Sequence, residues 1–273
     1  MISTENEKII KNIRFNLNKY LDENPNIKSL VIGVSGGIDS AICCALAEPV
    51  CKLRKIRLIG WSLPSISNST GEQERADMIG ESFCDIYEKH DITQIFYYLR
   101  SECDLGLSQS KDSKIRHGNL KARIRMIQLY NLAHFFDGLV LSTDNFTEYL
   151  LGFWTICGDE GDVAPIRDLW KTEVYGISNY MVVMDPTLTP MQRTGLQECI
   201  DAKPTDGLGI TDSDLDQILP TFHGNHFDGY RIVDEILIEY LEKKNISLES
   251  NPIILRHLRT EFKRKRPIKL IAK

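Results

Sequence analysis

Apolar positions near the start of the chain recur at helical spacing: Ile9, Ile10, Ile13, Leu17, Tyr20 and Leu21 would share one face. Thr4-Glu5-Asn6-Glu7 has the form of a capping box ahead of them, and Asn24-Pro25-Asn26 closes the segment. Lys28–Val34, KSLVIGV, is short, apolar and β-branched, the pattern of a buried strand. A glycine turn, SGGID, then leads into a helical stretch over Ser40–Val50. Ile56–Trp61 predicts a second strand, followed by a polar loop and a helix over Gly71–Tyr87. Ile92–Leu99 predicts a third strand, and Gly138–Ser142 a further buried one. Between them, Asn119–Phe136 predicts a long helix whose apolar side is Ile124, Ile127, Leu129, Leu132, Phe135 and Phe136. Strands alternating with helices in this way predict the α/β class, with parallel pairing through right-handed crossovers. The expected architecture is a doubly wound parallel sheet with flanking helices, in a single domain over 1–273.

After Met181 the periodic signal weakens. Residues 185–220 hold several Pro, Asp, Thr and Gly and are expected to form a long, mobile loop with short helices. The segment 254–273 is basic, with eight Lys or Arg against Glu261 alone, a charge of +7. The whole chain carries −5, which leaves about −12 on the rest of its 273 residues. An acidic body argues against general nucleic-acid binding. Hydrophobic residues at 42% and charged residues at 26% are ordinary globular usage, which excludes disorder and coiled coil. No apolar run approaches the ~20 residues of a membrane helix, and MISTENEKII lacks a signal-peptide pattern. The expectation is a cytoplasmic protein without membrane association. Seven cysteines and no C-x-x-C pair argue for reduced thiols and against a disulfide framework or structural zinc. His223 and His226 stand as H-x-x-H, too little for a metal site, and read as a loop pair.

The chemistry concentrates in Gly33-Val34-Ser35-Gly36-Gly37-Ile38-Asp39-Ser40, at a strand end and opening a helix. Free backbone N–H groups and the positive end of the helix dipole make such a turn an anion site. Gly36 and Gly37 let backbone approach phosphate oxygens, and Ser35 and Ser40 add hydroxyls. Asp39 would repel phosphate unless a cation lay between them, which points to Mg²⁺. The turn lacks the G-K-[ST] ending of a Walker A loop and is not G-x-G-x-x-G.

Ser35-Gly-Gly-Ile-Asp-Ser40 resembles the SGGxDS pyrophosphate loop of the adenylating ATP pyrophosphatases, whose fold is adenine nucleotide alpha hydrolase-like. Two further segments narrow the likeness. His117-Gly-Asn-Leu-Lys-Ala-Arg-Ile-Arg-Met126 resembles the GNxxARxRM helix of the NAD synthetase family. Leu141-Ser-Thr-Asp-Asn-Phe-Thr-Glu148, with Gly152, Gly158-Asp159, Pro165 and Leu169-Trp-Lys-Thr172, resembles that family's following block. Order and spacing agree from about Leu30 to Tyr175.

The resemblance implies ATP-dependent amidation of deamido-NAD⁺ by ammonia through an adenylated intermediate, in a homodimer. Glutamine-using relatives carry an additional amidase domain, so free ammonia is the expected nitrogen source. Asp39 and Glu148 would hold Mg²⁺, while Asp39, Glu148, Asp159 and Lys171 would form the catalytic set. ATP would contact Gly33 to Ser40, Thr143, Lys171 and Thr194. Arg123, Asp162, Phe262 and Lys263 would contact the dinucleotide. Arg125, two residues from Arg123, faces elsewhere on a helix and is expected to pair structurally. Without the resemblance, Glu148 reads as an exposed acid at a helix start and Lys171 as a solvated lysine. Two positions depart from many bacterial relatives: Thr155 is followed by Ile156 and Cys157 instead of Lys and an aromatic, and Phe262 replaces His. By the resemblance, both would touch the deamido-dinucleotide and not ATP. They leave open an amidoligase acting on another carboxylate, or a non-catalytic adenine-nucleotide sensor.

Overall fold

The computed structural model describes residues 2–105, 113–203, 226–242 and 251–265. Among the described residues four strands, β1 (Ser29–Gly33), β2 (Arg57–Ser62), β3 (Ile86–Lys89) and β4 (Gly138–Val140), form one parallel sheet in the order β3-β2-β1-β4. Leu141 continues the β4 edge by a parallel bridge to Val163. The strand period of two sorts the core into layers. Leu30, Ile32 and Leu58 face one side, while Val31, Ile59 and Val140 face the other.

On the first side lie α1 (Ile2–Glu23), α2 (Ile38–Arg54), α3 (Thr70–Phe83), α7 (Lys171–Met184) and α8 (Pro190–Asp201). The apolar stretch after the glycine turn explains the central place of α2: Ala41, Ile42, Cys43, Cys44, Ala45, Leu46 and Ala47 are all fully buried. Against the opposite face pack α4 (Thr93–Cys103) and α5 (Ser113–Phe135). A short α6 (Phe146–Leu151) follows β4. Toward the C-terminus, α9 (His226–Leu241), α10 (Pro252–Arg259) and α11 (Glu261–Arg264) close the described chain. Among the described residues no helix is long and apolar enough to cross a membrane.

The doubly wound parallel architecture agrees with the sequence reading, with several local corrections. Ile92–Leu99, expected as a strand, belongs to α4; the third strand is Ile86–Lys89, which overlaps the end of the helix expected over Gly71–Tyr87. The stretch ITQIFYYL suits either element by composition. Ile92 and Phe96, four apart, are the buried pair, while Ile95 and Tyr98 face out. Asp91 starts the turn by accepting the Thr93 N–H at 2.6 Å. On α5, Ile127 and Phe135 are exposed, because Ala122, Met126, Leu129 and Ala133 define the inward stripe. The first helix begins at Ile2, so the Thr4–Glu7 box lies inside it. Within 185–220, Pro190–Asp201 is a continuous helix opened by a Thr189–Gln192 capping box. Residues 204–220 and His223 lie outside the described residues, as does the end of the basic segment from 266.

The turn from β1 into α2 depends on one glycine. Gly36 has φ +79°, and a Cβ there would stand 2.1 Å from the Glu72 carbonyl oxygen. Its own carbonyl accepts a hydrogen bond from Arg75 Nε at 3.0 Å and one from the Cys199 thiol at 3.5 Å. Helices α3 and α8 thus brace the turn from two sides. Gly36→Ala is expected to lower stability by about 2 kcal/mol or more, whereas Gly118→Ala, on an open face of α5, raises it by about 0.5–1 kcal/mol. Urea unfolding midpoints of the two variants test the contrast.

Candidate active site

Because β1 is paired with β2 on one side and β4 on the other, the sheet changes winding direction beside β1. Ligands of open α/β sheets gather at that crevice, outside the carboxyl ends of the strands. Here it is a cleft of about 450 Å³ lined by Gly33 to Asp39, Trp61 to Pro64, Thr143, Asp144, Glu148, Asp159, Lys171 and Tyr230. The turn after β1 and the segment after β4 form its facing walls.

The Ser35–Ser40 turn is tied by its own hydroxyls. Ser40 Oγ donates to the Gly37 carbonyl at 3.0 Å and accepts the Ser35 N–H at 3.2 Å, while Ser35 Oγ accepts the Gly37 N–H at 3.2 Å. Ser40 is buried behind the turn, so its hydroxyl shapes the loop from outside the cleft. Gly37, the residue capping α2, supplies no side chain to the first N–H groups of that helix. Those donors and the helix dipole point at the cleft.

Across the turn, Lys171 joins the two carboxylates. It is the first residue of α7 and only 4% exposed, so the reading of a solvated lysine is overturned. Its ammonium pairs with Asp39 and lies 3.2 Å from Glu148 Oε1, with the Tyr230 ring centroid at 5.5 Å. Asn145 sets the carboxylates. Its Nδ2 donates to Asp39 Oδ1 at 2.9 Å, and its Oδ1 accepts the Glu148 N–H at 3.0 Å as the cap of α6. Glu148 Oε2 accepts the Asn145 N–H in return, at 3.3 Å. Glu148 is therefore a cleft residue and not an exposed helix-start acid.

The electrostatics follow from burial. Burial pushes the Glu148 carboxyl up to about 8, with Lys171 opposing and Asp39 and Asp144 adding to the rise. Burial alone would lower the Lys171 pKa, but Asp39 and Glu148 outweigh it and hold the group well above the lysine range. Asp144 is pushed up to about 7 by burial and Asp159, against the Arg167 guanidinium at 3.1 Å. Burial also raises Asp159, although it accepts the Thr155 N–H.

Other expected site residues fall in different places. Thr143 lines the cleft, whereas Thr194 sits on α8 with its hydroxyl donating to the Pro190 carbonyl at 3.1 Å, away from the lining. Arg123 and Arg125 diverge as their spacing requires. Arg125 is tied to the Leu63 carbonyl at 2.9 Å and Asn68 Oδ1 at 3.3 Å, while Arg123 Nε donates to the Ile156 carbonyl at 3.2 Å. Arg123 lines a second, wider cavity of about 760 Å³ with Tyr130, Trp154, Cys157, Arg167, Lys263 and Arg264. Met126 borders both cavities. Lys263 donates to the carbonyls of Gly152 at 2.7 Å and Trp154 at 2.5 Å. Phe262, beside it, is exposed. Asp162 braces the sheet edge, accepting the Val140 N–H at 2.9 Å and the Tyr130 hydroxyl at 3.2 Å. Arg75, Asn145 and Tyr230 escaped the sequence reading. Asn145 stood inside the quoted block, whereas Arg75 and Tyr230 carry no local signal.

The NAD synthase family model matches residues 9–267. The chain belongs to the NAD synthase family. An NH(3)-dependent NAD(+) synthetase of Methanosarcina mazei is 35% identical over 246 residues, 88% of this chain and 89% of that protein. One from Methanococcoides burtonii is 36% identical over 200 residues, 72% and 73% of the two chains. Among solved structures, an NH3-dependent NAD synthetase from Campylobacter jejuni superposes with TM-score 0.69 at 23% identity, covering 97% of this chain and 99% of that one. An NMN synthetase from Francisella tularensis does so with TM-score 0.72, also at 23%, covering 98% of each. At that identity the two structures speak for the fold of the NAD synthase family alone.

The buried triad makes a stability prediction for this family member. Lys171→Met leaves two carboxylates facing each other and is expected to cost about 3 kcal/mol at pH 8.5. A carboxyl whose folded pKa is raised favours the folded state below its unfolded pKa and loses that advantage as pH climbs through the folded value. The penalty should therefore shrink at pH 5.5, where Glu148 takes up a proton. Glu148→Gln, which keeps the shape and removes a strained charge, should change stability by less than about 1 kcal/mol. Urea unfolding of both variants at the two pH values checks the ordering.

Proposed function

We propose that this chain is a ligase that forms the C–N bond of NAD⁺, amidating deamido-NAD⁺ with ammonia while ATP is converted to AMP and pyrophosphate. The observation that carries the reading is the Asp39–Lys171–Glu148 cluster beside the Ser35–Ser40 turn, at the winding change of the sheet. Family membership supplies the reaction, and the cluster supplies groups suited to its charge. The nicotinate carboxylate oxygen bonds to the α-phosphorus as the bond to pyrophosphate breaks. Ammonia then bonds to the acyl carbon, sheds a proton, and AMP departs.

In that sequence the α2 amides and Lys171 would hold the polyphosphate, balancing the charge that grows on pyrophosphate. Thr143 would bind the nucleotide from the facing wall. Asp144 and Asp159, both raised by burial and both lining the cleft, are suited to accept the proton shed by ammonia. The second cavity, with Arg123, Arg167 and Arg264, has the charge to take the remainder of an anionic dinucleotide. Ile127 and Tyr130 are exposed beside it, and pairing of two copies in a homodimer, as the family resemblance implies, would cover them.

The donor set fits Mg²⁺. Asp39 and Glu148 offer hard carboxylate oxygens, and a cation would offset the burial that raises Glu148. Among the described residues no three His, Cys, Asp or Glu side chains converge as a ready cage. A magnesium ion there would take its other oxygens from phosphate and water, as that ion commonly does. When bound, it would supply charge neutralisation on the departing pyrophosphate.

Purified protein incubated with deamido-NAD⁺, ATP, Mg²⁺ and ammonium should yield NAD⁺ and AMP in equal amounts, resolved by chromatography. Asp39→Ala should lower the rate by at least about 100-fold. Tight ATP binding without NAD⁺ would overturn the reading. The departures at Ile156, Cys157 and Phe262, which the resemblance puts against the dinucleotide, would then favour another carboxylate, and AMP release with nicotinate mononucleotide is the first alternative to assay.

A further inference from the structure

The start of α7 is capped by a residue from a different helix. Trp170, its N-cap, contributes no side-chain cap to the first amides. Asp234, on α9 and 2% exposed, does so from outside. Its Oδ2 accepts the Thr172 N–H at 3.0 Å and the Thr172 hydroxyl at 2.8 Å, and its Oδ1 accepts the Thr147 hydroxyl at 2.6 Å. The Thr147 hydroxyl oxygen in turn accepts the N–H of Lys171 itself, at 2.9 Å. One carboxylate thereby engages the first two amides of α7, one directly and one through a hydroxyl. A negative charge at that helix end is favoured by the dipole.

The neighbours of these contacts give the arrangement its meaning. Thr147 precedes Glu148 on α6, and Thr172 follows Lys171 on α7. The two side chains that meet in the cleft therefore spring from helix starts that share a single buried anchor. The same helix α9 places Tyr230 in the cleft, against the Lys171 ammonium and stacked on Tyr175 with ring centroids 5.8 Å apart. A lysine side chain has four rotatable carbons, and its ammonium position is only as exact as the backbone that launches it.

We infer that Asp234 is a positioning residue for the reaction, setting Lys171 and Glu148 relative to each other through Thr147 and Thr172. It is absent from the lining of both cavities. The inference rests on the proposed amidation for its kinetic readout and on Mg·ATP binding for an independent one. A partner that orients a functional group is worth about 10–100-fold in activity, and small misplacements carry losses of similar size.

The test is kcat and KM for NAD⁺ formation in Asp234→Asn, Thr147→Val and the double variant, with Mg·ATP affinity by calorimetry and thermal midpoints for each. Asp234→Asn should lower kcat by about 10–100-fold in folded protein and weaken Mg·ATP binding by about 3–10-fold. The double variant should be no worse than Asp234→Asn, since both act through one path. A purely structural tie would move the thermal midpoint and leave kcat per folded molecule alone. That result, or effects that multiply, overturns the inference. If Asp234→Asn does not fold, Thr147→Val decides, and an unchanged kcat overturns it. Wild-type protein that binds Mg·ATP but makes no NAD⁺ overturns the amidation reading alone. The Asp234 role is then settled by whether Mg·ATP affinity falls in the variants, and an unaltered affinity rejects it.

Discussion

A lysine buried between two carboxylates is the constraint around which this molecule is arranged. Lys171, Asp39 and Glu148 come from three helix starts, after β1, after β4 and at the opening of α7. Burying any one of these charges alone would be prohibitive, so the three must be brought together or not buried at all. That requirement explains why so much of the polar chemistry nearby is devoted to helix N-termini. Asn145 caps α6 while holding Asp39, and Asp234 caps α7 from another helix. The apolar layers on both sides of the sheet supply the stability against which this polar centre is maintained.

The electrostatic balance is deliberately incomplete. One ammonium faces Asp39 and Glu148, and Glu148 and Asp144 sit well above ordinary carboxylate values, chiefly through burial, with neighbouring carboxylates adding to the rise. A surplus of carboxylate in a cleft whose other wall is a bare helix N-terminus suits a ligand that arrives as polyphosphate with a cation. Perturbed groups of this kind concentrate where a protein does chemistry. The wider cavity beyond Met126 has the opposite sign, with Arg123, Arg167, Lys263 and Arg264 around Trp154. Two adjoining cavities of contrasting charge accord with a reaction that unites a nucleoside triphosphate and a second anionic substrate.

The site is more legible in the sequence than the edges of the fold. The turn Ser35–Ser40 was legible because glycines, serines and an aspartate between a strand and a helix have few other uses. Asp39, marked out by its charge in that turn, lines one cleft with Glu148, Thr143, Asp159 and Lys171, which the resemblance points to. Ile92–Leu99 reads as a strand and folds as a helix because a short aromatic and β-branched run fits both periods, and only the depth of Ile92 and Phe96 separates them. Ile127 and Phe135 fall on the apolar side of the predicted helix and yet face out, because hydrophobicity records what a residue avoids, not which surface covers it.

Sequence by itself determined the alternation of elements, the parallel sheet and the residue types at the phosphate turn, since these depend on local periodicity and on conformations only particular residues adopt. Tertiary structure alone decided that Lys171 is buried and not solvated, that Arg75 and Cys199 brace Gly36, and that Asp234 anchors α7 across 62 residues. Each of those outcomes rests on a contact between distant segments, and no local pattern encodes the partner of a charged side chain. Burial and pairing are properties of the assembled core, so they become definite only when the sheet has placed its strand ends side by side.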